Sequence, residues 1–535
     1  MIVKSKGDVH VMYNVLVADS ISNEGLAPLL EAPHVNLTRK KVEEVENDLH
    51  TYDALLVRSA TTVTEDLLTK MPNLKIVARA GVGVDNIDIE ASTKRGVVVI
   101  NAPNGNTIST AEHTFAMMAS LFRHIPQGNA SVKAREWNRS AFVGTELNRK
   151  HLGIIGFGRI GSELAKRAKA FNMSVHVYDP FLTSSRAEKL GVELLSLDEL
   201  LAAADVITVH TPLTKETKGL LNHDTLAKTK KGVFLLNCAR GGIIDEKALV
   251  HYLEIGHVQG AAIDVFEVEP PIDNPLLHFD QVITTPHLGA STKEAQLNVA
   301  EDVAHDVLRF LEGNPVSSSI NLPTLSKEVF EKIQPFTSLT KQMGAILSQC
   351  MREPVQHISI SYGGTVTDLE TTYITRSLLS GFLTHRIDSP VNEVNASMIA
   401  KERGITFGEK TSEDTQGYSN MIDVTVTGEQ RIFTITGTYI AGYGPRIINI
   451  DSFDIDFYPE GHLLYIRHSD QPGVIGNVGK VLGDLRINIA TMQVGRKQKG
   501  GEAIMMLTFD KLLDDSVISS LKQTSEIVTI QRIEL

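Results

Sequence analysis

The sequence predicts an α/β chain. It holds two doubly wound parallel-sheet units, one inserted in the other, then an α+β domain and a compact βαββαβ module. Three observations predict it. From Asn14 to Asn314 short apolar runs alternate with helical ones, which is the pattern of strands buried on both faces of a parallel sheet. A strand–glycine turn–helix signature begins only at His151, well inside that alternation. After NPVSSSINLPTL, residues 314–325, the texture changes to helices mixed with strand-like runs.

The first thirteen residues read as an unstructured lead-in without the apolar core of a signal peptide, and Met12 is an alternative start. NVLVAD, DALLV, LKIVAR and VVVI then read as four buried strands of a first unit, with NEGLAPLLEA as a helix between them. TISTAEHTFAMMASLFRHI has helical spacing and no internal proline, so it reads as a long helix leading into the second unit. That unit's strands are HLGIIG, SVHVYD, DVITVH, GVFLLNC, GAAID and QVITT, and the helix STKEAQLNVAEDVAHDVLRFLEGN returns to the first unit. The expected boundaries are 14–106 with 292–325 for the first unit and 107–291 for the inserted one. Residues 327–455 mix a helix, VFEKIQPFTSLTKQMGAILSQ, with the strands QHISISYGG, IDVTVTGE and IFTITGTYI. Residues 460–535 read as strand LLYIRH, helix GVIGNVGKVLGDLR, hairpin NIATMQVGR/EAIMMLTFD, helix VISSLKQ and strand IVTIQRIEL, a βαββαβ order.

Composition narrows the class. With 535 residues the chain needs several cores. Its 42% hydrophobic and 22% charged residues are ordinary for a globular protein. A net charge of −12 argues against nucleic acid as a partner, so an anionic ligand needs a local cationic pocket. Two cysteines without metal-ligand spacing fit a reducing compartment, and no apolar run is long enough for a membrane span. The expected setting is the cytoplasm, with no metal site.

The glycine signature carries the first chemistry. Gly156 permits a sharp turn, Gly158 lets backbone approach a pyrophosphate, and Gly161 lets the helix pack close to the strand. Arg159 and Ile160 open the helix, whose free N–H groups suit phosphate. Asp179, 18 positions beyond Gly161, is placed to accept from a ribose 2′-hydroxyl. Pro180 and Phe181 follow it, with no arginine for a 2′-phosphate, so NAD is expected over NADP in this Rossmann-like unit.

Three residues just past strand ends carry the second chemistry: Arg240, Glu269 and His287. Histidine suits a general base near neutral pH, a neighbouring carboxylate fixes its tautomer, and an arginine grips a carboxylate in bidentate fashion. Arg58 and Arg79 end two strands of the first unit, and Arg139 lies in REWNRSAFVGTEL.

GFGRIG, HTPLT, NCARGGIIDE, DVFEVEPP and PHLGAST together resemble the D-isomer-specific 2-hydroxyacid dehydrogenases. RSATTVT, ARAGVGVDNIDI, NAPNGNT and HSDQPGVIGNVGKVLGDLRINIA narrow the likeness to the long-form phosphoglycerate dehydrogenases, which carry an intervening domain and a C-terminal ACT domain. The resemblance covers residues 14–535. It implies oxidation of 3-phosphoglycerate by NAD, with Arg240 on the substrate carboxylate and carbonyl, His287 as acid/base and Glu269 as its partner. It places Thr211, Pro212, Cys238 and Ala239 along the cofactor and Asp264 near the nicotinamide amide. It implies a substrate phosphate held by Arg58, Arg79 and Arg139, the last in an arm that serves a neighbouring subunit of a homodimer or homotetramer. It also implies L-serine as an effector bound by His468, Asp470 and Asn488 between paired ACT modules, and Arg446 as an anion contact of the intervening domain. The alternatives are another 2-hydroxyacid dehydrogenase, such as a hydroxypyruvate or glyoxylate reductase, and an NAD-sensing binding protein of the corepressor type.

Overall fold

A computed structural model describes residues 11–535, so the first ten residues of the expected lead-in lie outside the described residues. The first sheet holds β1 (Tyr13–Val17), β2 (Val35–Arg39), β3 (Ala54–Val57), β4 (Ile76–Arg79) and β5 (Val98–Asn101). All are parallel, in the order β2-β1-β3-β4-β5. β2 is not among the four expected strands. Its residues, VNLTR, are half-exposed at the sheet edge and so carry no buried apolar run. The lead-in also ends one residue early, because Tyr13 already pairs with Val35.

The chain leaves this sheet through the helix Thr107–Phe122, whose Met117, Met118, Leu121 and Phe122 pack in the core of the second unit. The expected single helix breaks at His124, in the left-handed region at φ 52°, and a second helix runs Ile125–Lys133. The second sheet comprises β6 (His151–Ile155), β7 (Ser174–Tyr178), β8 (Glu193–Leu194), β9 (Val206–Val209), β10 (Val233–Asn237), β11 (Val258–Ile263) and β12 (Val282–Thr284). It is parallel throughout in the order β12-β11-β10-β9-β6-β7-β8. β8, with two residues, is too short to carry a sequence signal. The helix Lys293–Leu311 then returns to the first sheet, where Val299, Ala300, Val303, Ala304 and Val307 join its core. Two crossings thus connect the units, and the carboxyl ends of both sheets face one cleft.

The helix Lys327–Cys350 opens the next unit, built on β13 (Val355–Gly364), β14 (Thr406–Ser412), β15 (Asn420–Gly428), β16 (Ile432–Ile440), β17 (Gly444–Ile450) and β18 (Phe453–Phe457). The order β14-β13-β15-β16-β17-β18 is antiparallel apart from the β13–β14 pair. It is pinned to the first unit by Asn392, which donates to the Gly96 carbonyl at 2.7 Å, and by Val394, which enters that unit's core.

The final module is β19 (His462–Ser469), the helix Val474–Asp484, β20 (Thr491–Arg496), β21 (Glu502–Phe509), the helix Asp515–Leu521 and β22 (Ile527–Glu534). Its antiparallel order is β20-β21-β19-β22. Alternation sends Leu464, Ile466, Met505 and Leu507 under its own helices. Leu463, Tyr465, Ile504 and Met506 enter the core of the preceding unit instead. Among the described residues no helix is long and apolar enough to cross a membrane.

Candidate active site

A cleft of about 430 Å³ lies between the two parallel-sheet units. Its lining includes Arg58, Arg79 and Asn106 from the first unit and Arg240, Glu269 and His287 from the second. The placement follows from topology, since parallel sheets put their loops and ligand sites at strand carboxyl ends.

His287 Nδ1 lies 2.9 Å from Glu269 Oε2. The Phe266 N–H donates to the other carboxylate oxygen at 3.1 Å and fixes its plane. His287 sits at φ 54°, a region that L-residues rarely occupy, so its loop has to be held there. Asp264, with no exposed surface, does the holding. Its carbonyl accepts from the His287 N–H at 3.0 Å. Its carboxylate accepts from the Leu288 N–H at 2.7 Å, the Gly289 N–H at 2.9 Å and Thr285 Oγ1 at 2.5 Å. His113 Nε2, from the connecting helix, is 3.2 Å from the same carboxylate. Burial pushes this acid up, but the bonds from His113, Thr285 and the Leu288 N–H outweigh it and hold it below the usual carboxylate range. Asp264 thus fastens the loop that carries His287, which its expected place near the nicotinamide amide does not imply. His113 and Thr285 were missed because their shared partner is far away in sequence.

Arg240 Nε donates to Asp85 Oδ2 at 3.0 Å, and its Nη1 to the Ala239 carbonyl at 2.7 Å. The first contact spans the cleft. A Cβ at Gly83 would lie 1.9 Å from Arg240 Nη2, so a side chain there would make the guanidinium shift from this position. Arg79 Nε donates to Asn86 Oδ1 at 3.0 Å. Burial pulls the Arg79 guanidinium below the usual arginine range; the Arg240 and Arg58 charges pull the same way, against Asp85 and Asp19. Three cations therefore crowd one pocket, and an anion entering it relieves their repulsion.

At the glycine turn, Gly156 has φ 93° and a Cβ there would meet the His210 carbonyl at 2.7 Å. A Cβ at Gly161 would meet the Gly156 carbonyl at 2.5 Å, the close helix–strand approach expected of it. Gly158 faces open space, and the helix from Arg159 through Ile160 starts beside it. Asp179 is oriented by the Phe157 and Phe181 N–H groups at 2.7 and 2.8 Å. Thr211 Oγ1 is buried without a partner, and the Pro212 carbonyl accepts from Thr217. Burial, and next the Asp264 charge, push the Cys238 thiol up to about 12, so it packs rather than reacts. The open cradle, the helix start, the ribose acceptor and the orphaned Thr211 hydroxyl fit an NAD molecule.

The remaining expected residues stand apart. Arg139 begins a short exposed turn, near Trp137 (79% exposed) and Val143 (78%), and does not line the cleft. Arg446 Nε donates to Asp456 Oδ1 at 2.7 Å. His468 is buried with Nε2 unpartnered. Asp470 accepts from the Gly500 N–H and pairs with Arg496 at 3.5 Å. Asn488 donates to Asp510 at 3.4 Å. Asp470 and Asn488 sit at opposite ends of the helix Val474–Asp484, roughly 16 Å of helix, so one module alone does not gather them.

Residues 115–289 match the NAD binding domain of the D-isomer specific 2-hydroxyacid dehydrogenases. Residues 332–451 match the D-3-phosphoglycerate dehydrogenase intervening domain and 462–526 the ACT domain. Among solved structures, a D-lactate dehydrogenase from Aquifex aeolicus, complexed with NAD and lactic acid, is 33% identical with a TM-score of 0.51. The match covers 56% of this chain and 96% of that one. An NAD-dependent formate dehydrogenase from Staphylococcus aureus in complex with NAD is 31% identical (TM-score 0.53), over 59% of this chain and all of that one. D-3-phosphoglycerate dehydrogenase of Bacillus subtilis (strain 168) is 63% identical over 98% of this chain and 100% of that protein. The Archaeoglobus fulgidus protein of the same name is 43% identical over 97% and 100%. The chain belongs to the D-3-phosphoglycerate dehydrogenase family, within the NAD-dependent 2-hydroxyacid dehydrogenases.

Proposed function

We propose that the chain oxidises D-3-phosphoglycerate to 3-phosphohydroxypyruvate with NAD, opening serine biosynthesis in the cytoplasm. The observation that carries this is one cleft joining the His287–Glu269 pair to three arginines. Residues 14–106 and 292–325 hold the substrate, and 107–291 hold NAD, along Gly156–Gly161, Asp179, Thr211, Pro212, Cys238 and Ala239. Bound NAD supplies the acceptor for the hydride leaving C2.

Arg240 grips the substrate carboxylate and the forming C2 carbonyl, sharing its guanidinium between substrate and Asp85. His287 takes the C2 hydroxyl proton on Nε2, while Nδ1–H donates to Glu269, which stabilises the imidazolium. Arg58 and Arg79 receive the phosphate, the groups that separate this substrate from plain 2-hydroxy acids. Arg139 serves the site of a second copy in a homodimer or homotetramer.

L-serine acts through residues 460–535, where His468, Asp470 and Asn488 meet across paired modules. One observation favours a regulatory tail: the ACT sheet shares a core with residues 327–455, which are themselves clamped to the substrate unit.

The test is NAD reduction by the full chain with 3-phosphoglycerate, D-glycerate and lactate. Preference for the phosphorylated acid by an order of magnitude or more in kcat/KM supports the reading. Equal use of the three would move the chain to a general hydroxyacid reductase.

A further inference from the structure

We propose that Asn86 is a positioning residue that makes the enzyme selective for a phosphorylated substrate, by fixing Arg58 and Arg79 at one spacing. This rests on the phosphate reading of those two arginines.

Asn86 is half-buried in the loop after β4, and its side chain makes three hydrogen bonds. Oδ1 accepts from Arg79 Nε at 3.0 Å. Nδ2 donates to the Arg58 carbonyl at 3.0 Å and to the Thr61 carbonyl at 2.6 Å. One amide thus ties the guanidinium of one arginine to the backbone of the other.

The opposite side of Arg58 is held as firmly. Asp19 Oδ2 accepts from the N–H groups of Arg58 at 2.6 Å and of Ala60 and Thr61 at 3.2 Å, and Oδ1 accepts from Thr61 Oγ1 at 2.6 Å. The peptide groups on both sides of the Arg58 Cα are therefore clamped, one by Asp19 and one by Asn86. The loops are also stitched by the backbone, with Val63 N–H on the Asn86 carbonyl at 2.8 Å and Asp88 N–H on the Val63 carbonyl at 2.9 Å.

The residue type matters as much as the geometry. A neutral acceptor orients Arg79 without cancelling its charge. A carboxylate in the same place would pair with Arg79, compete with phosphate, and turn acceptor oxygens towards the Arg58 and Thr61 carbonyls. Arg79 already sits among like charges, so its full cationic character is available to an anionic ligand. Arg240 is oriented separately, by Asp85 and the Ala239 carbonyl, so the carboxylate end of the substrate does not depend on Asn86.

Because the position is half-buried, water can reach the two carbonyls when the amide is removed, and Asn86→Ala should fold. Its KM for 3-phosphoglycerate is expected to rise about tenfold, the cost of a lost hydrogen bond to a charged group, with a much smaller change in kcat. The KM for D-glycerate should move by less than about twofold, and inorganic phosphate should weaken as a competitive inhibitor in parallel. Asn86→Asp, which keeps the shape and adds a charge, should raise the 3-phosphoglycerate KM further still. Thermal unfolding is recorded for each variant, and Arg58→Ala and Arg79→Ala are measured alongside. If both arginine variants discriminate the two substrates while Asn86→Ala and Asn86→Asp do not, the role of Asn86 is overturned and the phosphate grip stands. If the arginine variants damage both substrates equally, the phosphate reading itself falls. Equal damage to both substrates in the Asn86 variants alone would make the residue structural and overturn its part in selectivity.

Discussion

Replacing Asp264 with asparagine should slow turnover without weakening substrate binding. The carboxylate accepts from Thr285 Oγ1, the Leu288 N–H and the Gly289 N–H, and it meets His113 Nε2 at 3.2 Å. Asparagine keeps one acceptor and turns an NH₂ group towards the remaining donors. Gly289 is buried, so an N–H left there without a partner cannot be rewetted. A hydrogen bond to a charged group contributes about 1.5–3 kcal/mol, so the loss should be on the order of 2–3 kcal/mol. At about 1.4 kcal/mol per tenfold in rate, a His287 loop loosened by that amount lowers kcat roughly 30- to 140-fold. The KM for 3-phosphoglycerate should hold, because Arg58 and Arg79 stand on the other unit. The pH dependence has a definite sign. The Asp264 carboxyl is held below its usual range in the folded chain, so its stabilisation is complete above the unfolded value, about 3.9, and disappears only as pH falls through the lower folded value. The carboxylate's share of the asparagine variant's deficit should therefore be undiminished at neutral pH and shrink only in acid. Steady-state kinetics and thermal unfolding from acid to neutral pH are the assay. A variant with wild-type kcat and unchanged unfolding would refute the fastening role.

Three further outcomes are expected. His287→Asn should retain NADH binding, followed by fluorescence, and lose turnover by about a hundredfold or more, as general acid–base catalysis supplies 10²–10⁴-fold; near-normal turnover would remove the histidine from the mechanism. Asp179→Ser should narrow the NAD/NADP preference, since the Phe157 and Phe181 amides orient the carboxylate proposed to meet the ribose, and an unmoved preference would put the ribose contact elsewhere. L-serine should slow the full chain and not a chain ending near residue 455, with a coupling of about 1–3 kcal/mol; inhibition that survives truncation would exclude the His468, Asp470 and Asn488 site.

Much of this was legible in the sequence, for physical reasons. Strands buried on both faces, such as LLV at 55–57 and IVA at 76–78, must be apolar throughout, so they announce themselves. The glycine turn is legible because Gly156 and Gly161 have no room for a Cβ. Arg240, Glu269 and His287 each follow a strand end, which is where topology sends them. Edge strands are harder: β2 is half-exposed and β8 has two residues, so neither carries a continuous apolar signal. Long-range polar pairs leave no local trace. Arg240 finds Asp85 across the cleft, and His113 reaches Asp264 from a helix that reads only as amphipathic. Asp19 and Asn86 look like ordinary loop polars until the fold brings them around Arg58. Arg446, singled out in sequence, likewise finds a partner the sequence does not announce, Asp456 across a hairpin.

A crystal structure of the full chain with NADH and D-3-phosphoglycerate tests the central claim most directly. The account predicts the phosphate on Arg58 and Arg79, the carboxylate on Arg240, and His287 Nε2 about 2.6–3.2 Å from the C2 hydroxyl. A ligand bound with its phosphate away from both arginines, or with the C2 hydroxyl out of reach of His287, would contradict it.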